Sequence, residues 1–267
     1  MPQVLIVGGE NSLPFATDDR IFLGEGLFET LKVEYGKPCC ADMHWQRLVN
    51  SAQQLGITFE LSYEHWLASL QQKLNQDNLI HGGIKAILSG GSAPRGLTAR
   101  GMCGQLVLQT FKFEAQTHPV SLVRAPWLRD AANPIYQVKS INYLEAILAR
   151  RHALAVGADD VLFFNLQQHA TETTCANLFL VSQQSLFTSP SIDGVLPGIT
   201  RSRIISFARQ EKIECQEVSL TQAMLEDADA LFITNAIQGI RMIRSFEGIN
   251  FVENHPLVAH LSSFLST

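Results

Sequence analysis

The sequence predicts a mixed α/β protein with two domains. Strand-like apolar runs and helix-like periodic stretches alternate in both halves of the chain, and a polar segment over residues 114–119 interrupts them near the middle. A chain of 267 residues is long enough to bury a core in each half. We therefore expect a smaller N-terminal α/β domain over residues 1–115 and a larger domain over residues 116–267.

The composition indicates a compact globular protein. Charged residues make up 17% of the chain, apolar residues 46%, and the net charge is -5, which does not suit a disordered or nucleic-acid-binding chain. The five cysteines form no C-x-x-C pair, and the eight histidines show no metal-binding spacing. No apolar run is long enough for a membrane span, and no signal peptide is recognisable. We expect a cytoplasmic protein without a metal and without nucleic-acid or membrane partners.

The N-terminal half begins its clear pattern with a predicted hairpin. Residues 24–33 alternate as a strand does after two glycines, and residues 35–38 supply a turn. Because side chains alternate along a strand, Phe28 and Thr30 share one face and Glu29 lies on the other. The rest of this half predicts helices from Met43 to Gly56 and over 64–75, strands over 84–89 and 105–113, and a glycine-rich loop over 90–96 that contains Arg95.

Arg47 is the first candidate binding residue, and it lies three residues after His44 on the first predicted helix. An arginine on a helix is usually a surface charge. If it turns inward, its planar guanidinium suits a phosphate.

Lys139 is the residue around which the second half is organised. It ends an apolar, strand-like run, and a helix face carried by Ile141, Leu144, Ile147 and Leu148 follows it directly. Taken alone, such a lysine can be a solvated residue at a helix start or a side chain held rigidly in a pocket.

Three later segments add polar groups. Glu172 lies in a polar turn, residues 171–176, where a carboxylate is ordinarily solvated. Small residues before Ile199 and Thr200 open a helix, which makes either an anion site or a helix capped by Thr200. An apolar strand then ends at Asn235 and Ala236, a place where ligand contacts are common.

A lysine, a carboxylate and phosphate donors are together what a pyridoxal phosphate (PLP) site requires. Six motifs occur here in the order in which they occur in fold type IV PLP enzymes, and the resemblance covers nearly the whole chain. They are Gly24-Glu25-Gly26-Leu27-Phe28-Glu29-Thr30, His44-x-x-Arg47, Lys139-Ser140-Ile141-Asn142, Thr171-Glu172 with Asn177-Leu178-Phe179, Leu196-Pro197-Gly198-Ile199-Thr200-Arg201, and Thr234-Asn235-Ala236.

The resemblance implies a fold and a set of roles. The family comprises branched-chain and D-amino-acid aminotransferases and 4-amino-4-deoxychorismate lyases, typically homodimers with a small N-terminal domain, a larger C-terminal domain with a barrel-like sheet, and PLP between them. By position, Lys139 bonds covalently to PLP and acts as the catalytic base, and Glu172 pairs with the pyridine nitrogen. Arg47 binds the phosphate, together with Ile199, Thr200, Asn235 and Ala236.

Within the family, the sequence is most similar to the lyases. Phe28 stands where D-amino-acid aminotransferases carry a carboxylate-binding tyrosine, and Asn235-Ala236-Ile237 resembles the corresponding lyase segment. This favours cleavage of 4-amino-4-deoxychorismate to 4-aminobenzoate and pyruvate, with Arg95 on a substrate carboxylate and Thr30 and Phe28 lining the pocket. A D- or branched-chain aminotransferase is the alternative enzyme, and a PLP carrier or inactive subunit is the alternative without turnover.

Overall fold

A computed structural model of the protein describes residues 5–7, 15–16, 18–116 and 118–266. The chain divides into two compact units, of which the first is Met1–Glu114 with Val138–Asn142 and the second is Ala115–Gln137 with Tyr143–Thr267. This division differs from a single boundary near residue 115, because the segment that carries Lys139 packs with the N-terminal unit.

The first unit is an antiparallel sheet with two helices packed on it. The strand order is β1-β5-β4-β2-β3. Its elements in chain order are β1 (Leu5–Val7), β2 (Gly26–Glu34), β3 (Lys37–Pro38), α1 (Ala41–Leu55), α2 (Tyr63–Gln76), β4 (Gly82–Ser89) and β5 (Leu106–Phe111).

The helix and hairpin predictions for this unit are confirmed. Helix α1 ends where Gly56 adopts φ 70°, a left-handed conformation that glycine accepts without strain. The core between helices and sheet is apolar and includes Leu27, Leu31, Leu48, Ala52, Trp66, Leu70 and Leu74.

The segment Val138–Asn142 pairs with the start of β2. The Phe28 N–H donates to the Lys139 carbonyl at 2.9 Å, and the Ile141 N–H donates to the Gly26 carbonyl at 3.0 Å. The prediction of a strand before Lys139 and a helix directly after it is therefore wrong. A 3₁₀ turn, Pro134–Gln137, precedes the segment. The next helix cannot start within it because its backbone groups pair with β2.

The second unit contains a closed barrel of six strands, β9-β12-β13-β6-β7-β8, in which β8 also pairs with β9. Strands β10 and β11 extend the sheet beyond β9, and β14 pairs with β13. In chain order the elements are β6 (Val120–Arg129), α3 (Leu144–Ala155), β7 (Asp160–Asn165), β8 (Ala170–Thr173), β9 (Asn177–Ser182), β10 (Ser185–Thr188), α4 (Ile199–Gln210), β11 (Cys215–Glu217), α5 (Gln222–Glu226), β12 (Ala230–Asn235), β13 (Gly239–Phe246), β14 (Ile249–Asn250) and α6 (Pro256–Ser266). The predicted mixed α/β fold with a barrel-like sheet is confirmed.

Helix α3 packs on the barrel through small residues. Ala149 and Ala153 are fully buried in a cluster with residues of β6 and β7. The predicted helix face includes Leu144, Ile147 and Leu148, which lie on α3 but are 67%, 45% and 47% exposed and do not pack on the barrel. Alanine lets the helix backbone approach the strands closely, and the larger side chains consequently face away from them.

None of the helices in the described part of the chain is both long and apolar enough to cross a membrane.

Candidate functional site

In the first unit, Lys139 lies beside the aromatic ring of Phe28. Its Nζ is 4.3 Å from the ring centroid, and Phe28 itself is 8% exposed. The antiparallel pairing with β2 fixes the backbone of both residues. Lys139 is therefore held on the edge of the sheet and lies against the face of β2 that carries Phe28.

Arg47 turns inward from α1 and pairs with Glu29 on the opposite face of β2. Arg47 Nε donates to Glu29 Oε1 at 2.8 Å and Arg47 Nη2 donates to Glu29 Oε2 at 2.6 Å. His44 Nδ1 lies 2.6 Å from Glu29 Oε2. The Glu29 side chain is 1% exposed, and that of Arg47 is 10% exposed. The two contacts to Glu29 fix the plane of the guanidinium.

Charge interactions dominate this buried cluster. Burial on its own would raise the pKa of Glu29, but the charge and hydrogen bonds of Arg47 and His44 outweigh it and lower the pKa to about 2. Burial lowers the pKa of His44, the hydrogen bond and charge of Glu29 oppose this shift, and with the charges of Arg47 and Lys139 the net effect is a lowered pKa. At neutral pH, Glu29 is therefore anionic and His44 neutral, so that His44 donates its Nδ1–H to the carboxylate.

Replacing Glu29 with glutamine is expected to destabilise the protein at pH 7 by on the order of 3 kcal/mol, since a buried guanidinium loses its counter-charge. The pKa of Glu29 is lowered in the folded state from its usual value of 4.5 to about 2. The ionised carboxylate therefore contributes its full stabilisation at pH values above 4.5, and this contribution is lost as the pH falls towards about 2. Denaturant unfolding at pH 7 and pH 3 measures both effects.

The matched control is Glu60→Gln, because Glu60 is exposed and its replacement is expected to change stability by less than about 0.5 kcal/mol. The difference in free energy of unfolding between wild type and Glu29→Gln should be smaller at pH 3 than at pH 7. If this difference is absent at pH 7, or grows as the pH falls, Glu29 is not an anion that stabilises the folded protein.

The face of β2 that carries Phe28 also carries Thr30, which is half-buried. Lys85 of β4 stands directly opposite Thr30, so the two share this face. Arg95, predicted to contact a substrate carboxylate, lies in an exposed loop and makes no hydrogen bond or ion pair with the described residues. Its role stays a prediction.

In the second unit, Glu172 lies within β8, directly opposite Asn177 of β9. It accepts hydrogen bonds from Arg129 Nη1 at 3.1 Å, Asn177 Nδ2 at 3.3 Å and the Leu196 N–H at 3.1 Å. Its placement in a solvated turn was wrong, because the turn begins one residue later, where the Thr173 N–H donates to the Ala176 carbonyl. Three donors of this kind hold a carboxylate in its ionised form in one orientation.

Arg129 is the last residue of β6 and is the cationic donor to Glu172. Its Nε donates to Glu145 at 3.0 Å, and its guanidinium carbon lies 3.5 Å from the ring centroid of Phe163. Arg129 is 5% exposed, so its charge acts on Glu172 with little screening by water.

Helix α4 begins at Ile199 without a side-chain cap. Gly198 is the N-cap residue, and capping by Thr200 is excluded because Thr200 lies inside the helix. The first N–H groups of a helix have no partner within it and favour an anion. A Cβ on Gly198 would lie 1.9 Å from Asn177 Oδ1, so only glycine permits this approach to β9.

Replacing Gly198 with alanine is expected to cost about 1–3 kcal/mol of stability, because the new methyl group displaces Asn177. If the chain binds PLP, as its resemblance to fold type IV enzymes implies, the same change is expected to weaken that binding at least about tenfold. Asn177 would then lose its 2.9 Å hydrogen bond to the Leu196 carbonyl as well as its bond to Glu172. Equilibrium titration of apoprotein with PLP measures the affinity. Gly157→Ala is the control, since Gly157 also prefers a special conformation, φ 80°, but faces open space. Equal PLP affinity in the two variants would contradict the role of Gly198.

Asn235 and Ala236 form the turn after β12. Asn235 Oδ1 accepts hydrogen bonds from the N–H groups of Ile237 and Gln238 at 3.0 and 2.8 Å, so its side chain closes the turn. The preceding residue, Thr234, is 2% exposed, and its Oγ1 has no hydrogen-bond partner among the residues that the structure describes. Thr234 pairs with Asn177 in the barrel. This buried hydroxyl is a polar group that a bound ligand can satisfy.

Each unit thus brings together part of the predicted set. Lys139, Phe28 and Thr30 lie on one face of the first sheet, with Arg47 beneath it, and Glu172 is linked through Asn177 to the start of α4. Sequence reasoning assigned no role to Lys85, Arg129 or Asn177. For Lys85 a signal existed, since a lysine interrupts the run 84–88, which is otherwise apolar.

Comparison with known proteins shows the family to which the chain is related. The profile of the amino-transferase class IV family matches residues 26–246. A crystal structure of a candidate 4-amino-4-deoxychorismate lyase from Legionella pneumophila is 57% identical, with a TM-score of 0.95 and 97% of each chain covered. The aminodeoxychorismate lyase of Vibrio harveyi is 26% identical over 95% of this chain and 91% of its own. A candidate branched-chain-amino-acid aminotransferase from Methanocaldococcus jannaschii is 30% identical over 86% of this chain and 82% of its own.

Proposed function

Because the chain belongs to the amino-transferase class IV family, whose cofactor is PLP, we propose that it is a PLP-dependent 4-amino-4-deoxychorismate lyase. The reaction gives 4-aminobenzoate and pyruvate, a step of folate biosynthesis. We propose that the enzyme acts in the cytoplasm as a homodimer, as the resemblance to fold type IV enzymes implies.

The described residues fit the cofactor chemically. The uncapped start of α4 and the unsatisfied Thr234 Oγ1 are donors of the kind that a phosphate dianion needs. Glu172, held by its three donors, provides the anion for a protonated pyridine nitrogen. In the first unit, Arg47 supplies a cation and Lys139 an amine.

PLP, when bound, supplies an electron sink for the carbon that carries the substrate nitrogen. The protein supplies orientation and proton transfer. Lys139 Nζ takes the proton from C4 of the substrate, and the bond between the ring and the enolpyruvyl oxygen breaks. Lys139 Nζ then returns a proton to the enolpyruvyl group, which leaves as pyruvate while the ring becomes aromatic. The hydrogen bonds between β2 and the Lys139 segment fix the backbone from which Nζ extends, which limits the positions that the amine can take.

The single observation that carries the choice of the lyase is the aromatic ring beside Lys139. Phe28 has no hydroxyl, so this position cannot donate a hydrogen bond to the carboxylate of an amino-acid substrate. The 57% identity with the Legionella protein supports the same choice.

The competing function is amino-group transfer, and the 30% identity with the Methanocaldococcus protein favours it. An aminotransferase needs a keto-acid acceptor, whereas the lyase needs none. We expect purified protein with PLP to release fluorescent 4-aminobenzoate, and equal amounts of pyruvate, from 4-amino-4-deoxychorismate alone. Turnover that appears only when a keto acid is added, with D- or branched-chain amino acids as donors, would replace the proposal with the aminotransferase.

A further inference from the structure

Lys85 is a second lysine beside the Phe28 ring, and the mechanism above does not use it. Its Nζ lies 4.5 Å from the ring centroid, against 4.3 Å for the Nζ of Lys139. Two ammonium groups therefore lie against one aromatic side chain on one face of the first sheet.

The position of Lys85 is fixed by the sheet. Strand β4 pairs with β2 over its whole length, which places Lys85 opposite Thr30 and next to Ile87, the partner of Phe28. The strand also pairs with β5 on its other side, where Lys85 stands opposite Gln109. A side chain in a central strand has little freedom to leave this face, so its cation stays near Phe28 and Thr30.

Lys85 has no acidic partner among the described residues. It is half-buried, and its Nζ lies over the aromatic ring of Phe28. Burial lowers the pKa of Lys85, and the charge of Lys139 lowers it further. Since a partly buried cation without a counter-ion is costly, the site gains stability when an anion enters it.

We propose that Lys85 binds a carboxylate of the substrate on the Phe28 face of the sheet. This inference rests on the proposed function, because the lyase substrate carries two carboxylates, one on the ring and one on the enolpyruvyl group. Phe28 offers that substrate an apolar surface, and Lys85 offers a charge that phenylalanine cannot supply. Lys85 is thus a specificity-determining residue for a dicarboxylate.

Each product carries one of the two substrate carboxylates: 4-aminobenzoate carries the one on the ring, and pyruvate carries the one from the enolpyruvyl group. Calorimetric titration of the PLP-loaded protein with each product therefore tests Lys85 without turnover. In Lys85→Met we expect the affinity for at least one product to fall about tenfold or more, the loss typical of a hydrogen bond to a charged group. The product that is affected identifies the carboxylate.

The matched control is Lys112→Met, which removes an equal charge from an exposed position after β5 and should leave both affinities unchanged. Lys85→Gln provides a second variant that keeps a polar side chain, should methionine disturb folding. The visible absorbance of bound PLP must stay the same in all variants. Its loss in both Lys85 variants would overturn the proposal by assigning Lys85 to the cofactor.

Unchanged affinity for both products in Lys85→Met would also overturn the proposal, as would wild-type protein that binds neither. Failure of the proposed function has a different signature. If wild type releases no 4-aminobenzoate but Lys85→Met still weakens product binding, the lyase assignment fails and the carboxylate site stands. If wild type turns over and Lys85→Met binds both products normally, only the inference about Lys85 fails.

Discussion

Replacing Lys139 with alanine is expected to lower turnover by about 10³-fold or more and to remove the visible absorbance of lysine-bound PLP. The change deletes the amine that we propose bonds to the cofactor and moves the proton. The amine of Lys85 also lies near Phe28 but stands on a different strand. Steady-state assays of 4-aminobenzoate release and absorbance spectra of the purified variant measure the two effects.

The control for Lys139→Ala is Lys112→Ala, an exposed lysine whose loss should leave turnover and absorbance unchanged. Circular dichroism establishes that both variants are folded. A Lys139→Ala variant with the wild-type spectrum and full turnover would remove the basis of the mechanism.

Replacing Glu172 with glutamine is expected to lower turnover on the order of 10²-fold while PLP remains bound. Glutamine has nearly the same shape but no charge, so it does not stabilise a protonated pyridine nitrogen. In the wild type, the Glu172 carboxylate accepts hydrogen bonds from Arg129, Asn177 and the Leu196 N–H. The amide N–H₂ of glutamine is itself a donor and cannot accept from these groups. Turnover and the absorbance maximum of bound PLP report the loss.

Glu226→Gln is the control for Glu172→Gln, because Glu226 is exposed at the end of α5. We expect its turnover to equal that of the wild type. If Glu172→Gln turns over as fast as the wild type, the Glu172 carboxylate does not act on the cofactor ring.

Local sequence signals predicted much of the first unit. The glycine at position 56 ended α1 as expected, and alternation placed Phe28 and Glu29 on opposite faces of β2. These features depend on residues close together in the chain. The return of Val138–Asn142 to β2 was not predictable in this way, because its hydrogen bonds join segments far apart in sequence.

The face of α3 that packs on the barrel was not predictable from the apolar periodicity either. Leucine and isoleucine dominate the helical periodicity, but close approach to the barrel selected Ala149 and Ala153. Small residues give a weak hydrophobic signal, although they allow the closest packing.

Some residues of the candidate site were indicated by the sequence, and others only by the structure. The resemblance predicted roles for Lys139, Glu172 and Arg47, whereas the groups that contact these residues became apparent only in three dimensions. Glu29 was placed correctly on its strand, yet nothing local indicated that it would pair with Arg47. Thr234 belongs to one of the six motifs, but the motif gave it no role of its own. That its hydroxyl lacks a hydrogen-bond partner among the described residues follows from the packing around β12.

The most direct test of the central claim is to find which lysine bears the cofactor. Borohydride reduction of the PLP-loaded protein fixes the bond between lysine and cofactor, and mass mapping of the digested protein then locates it. We predict a single modified residue, Lys139. Modification of Lys85, its neighbour across the Phe28 ring, or of any other lysine in place of Lys139 would contradict the account, as would the absence of any modified lysine.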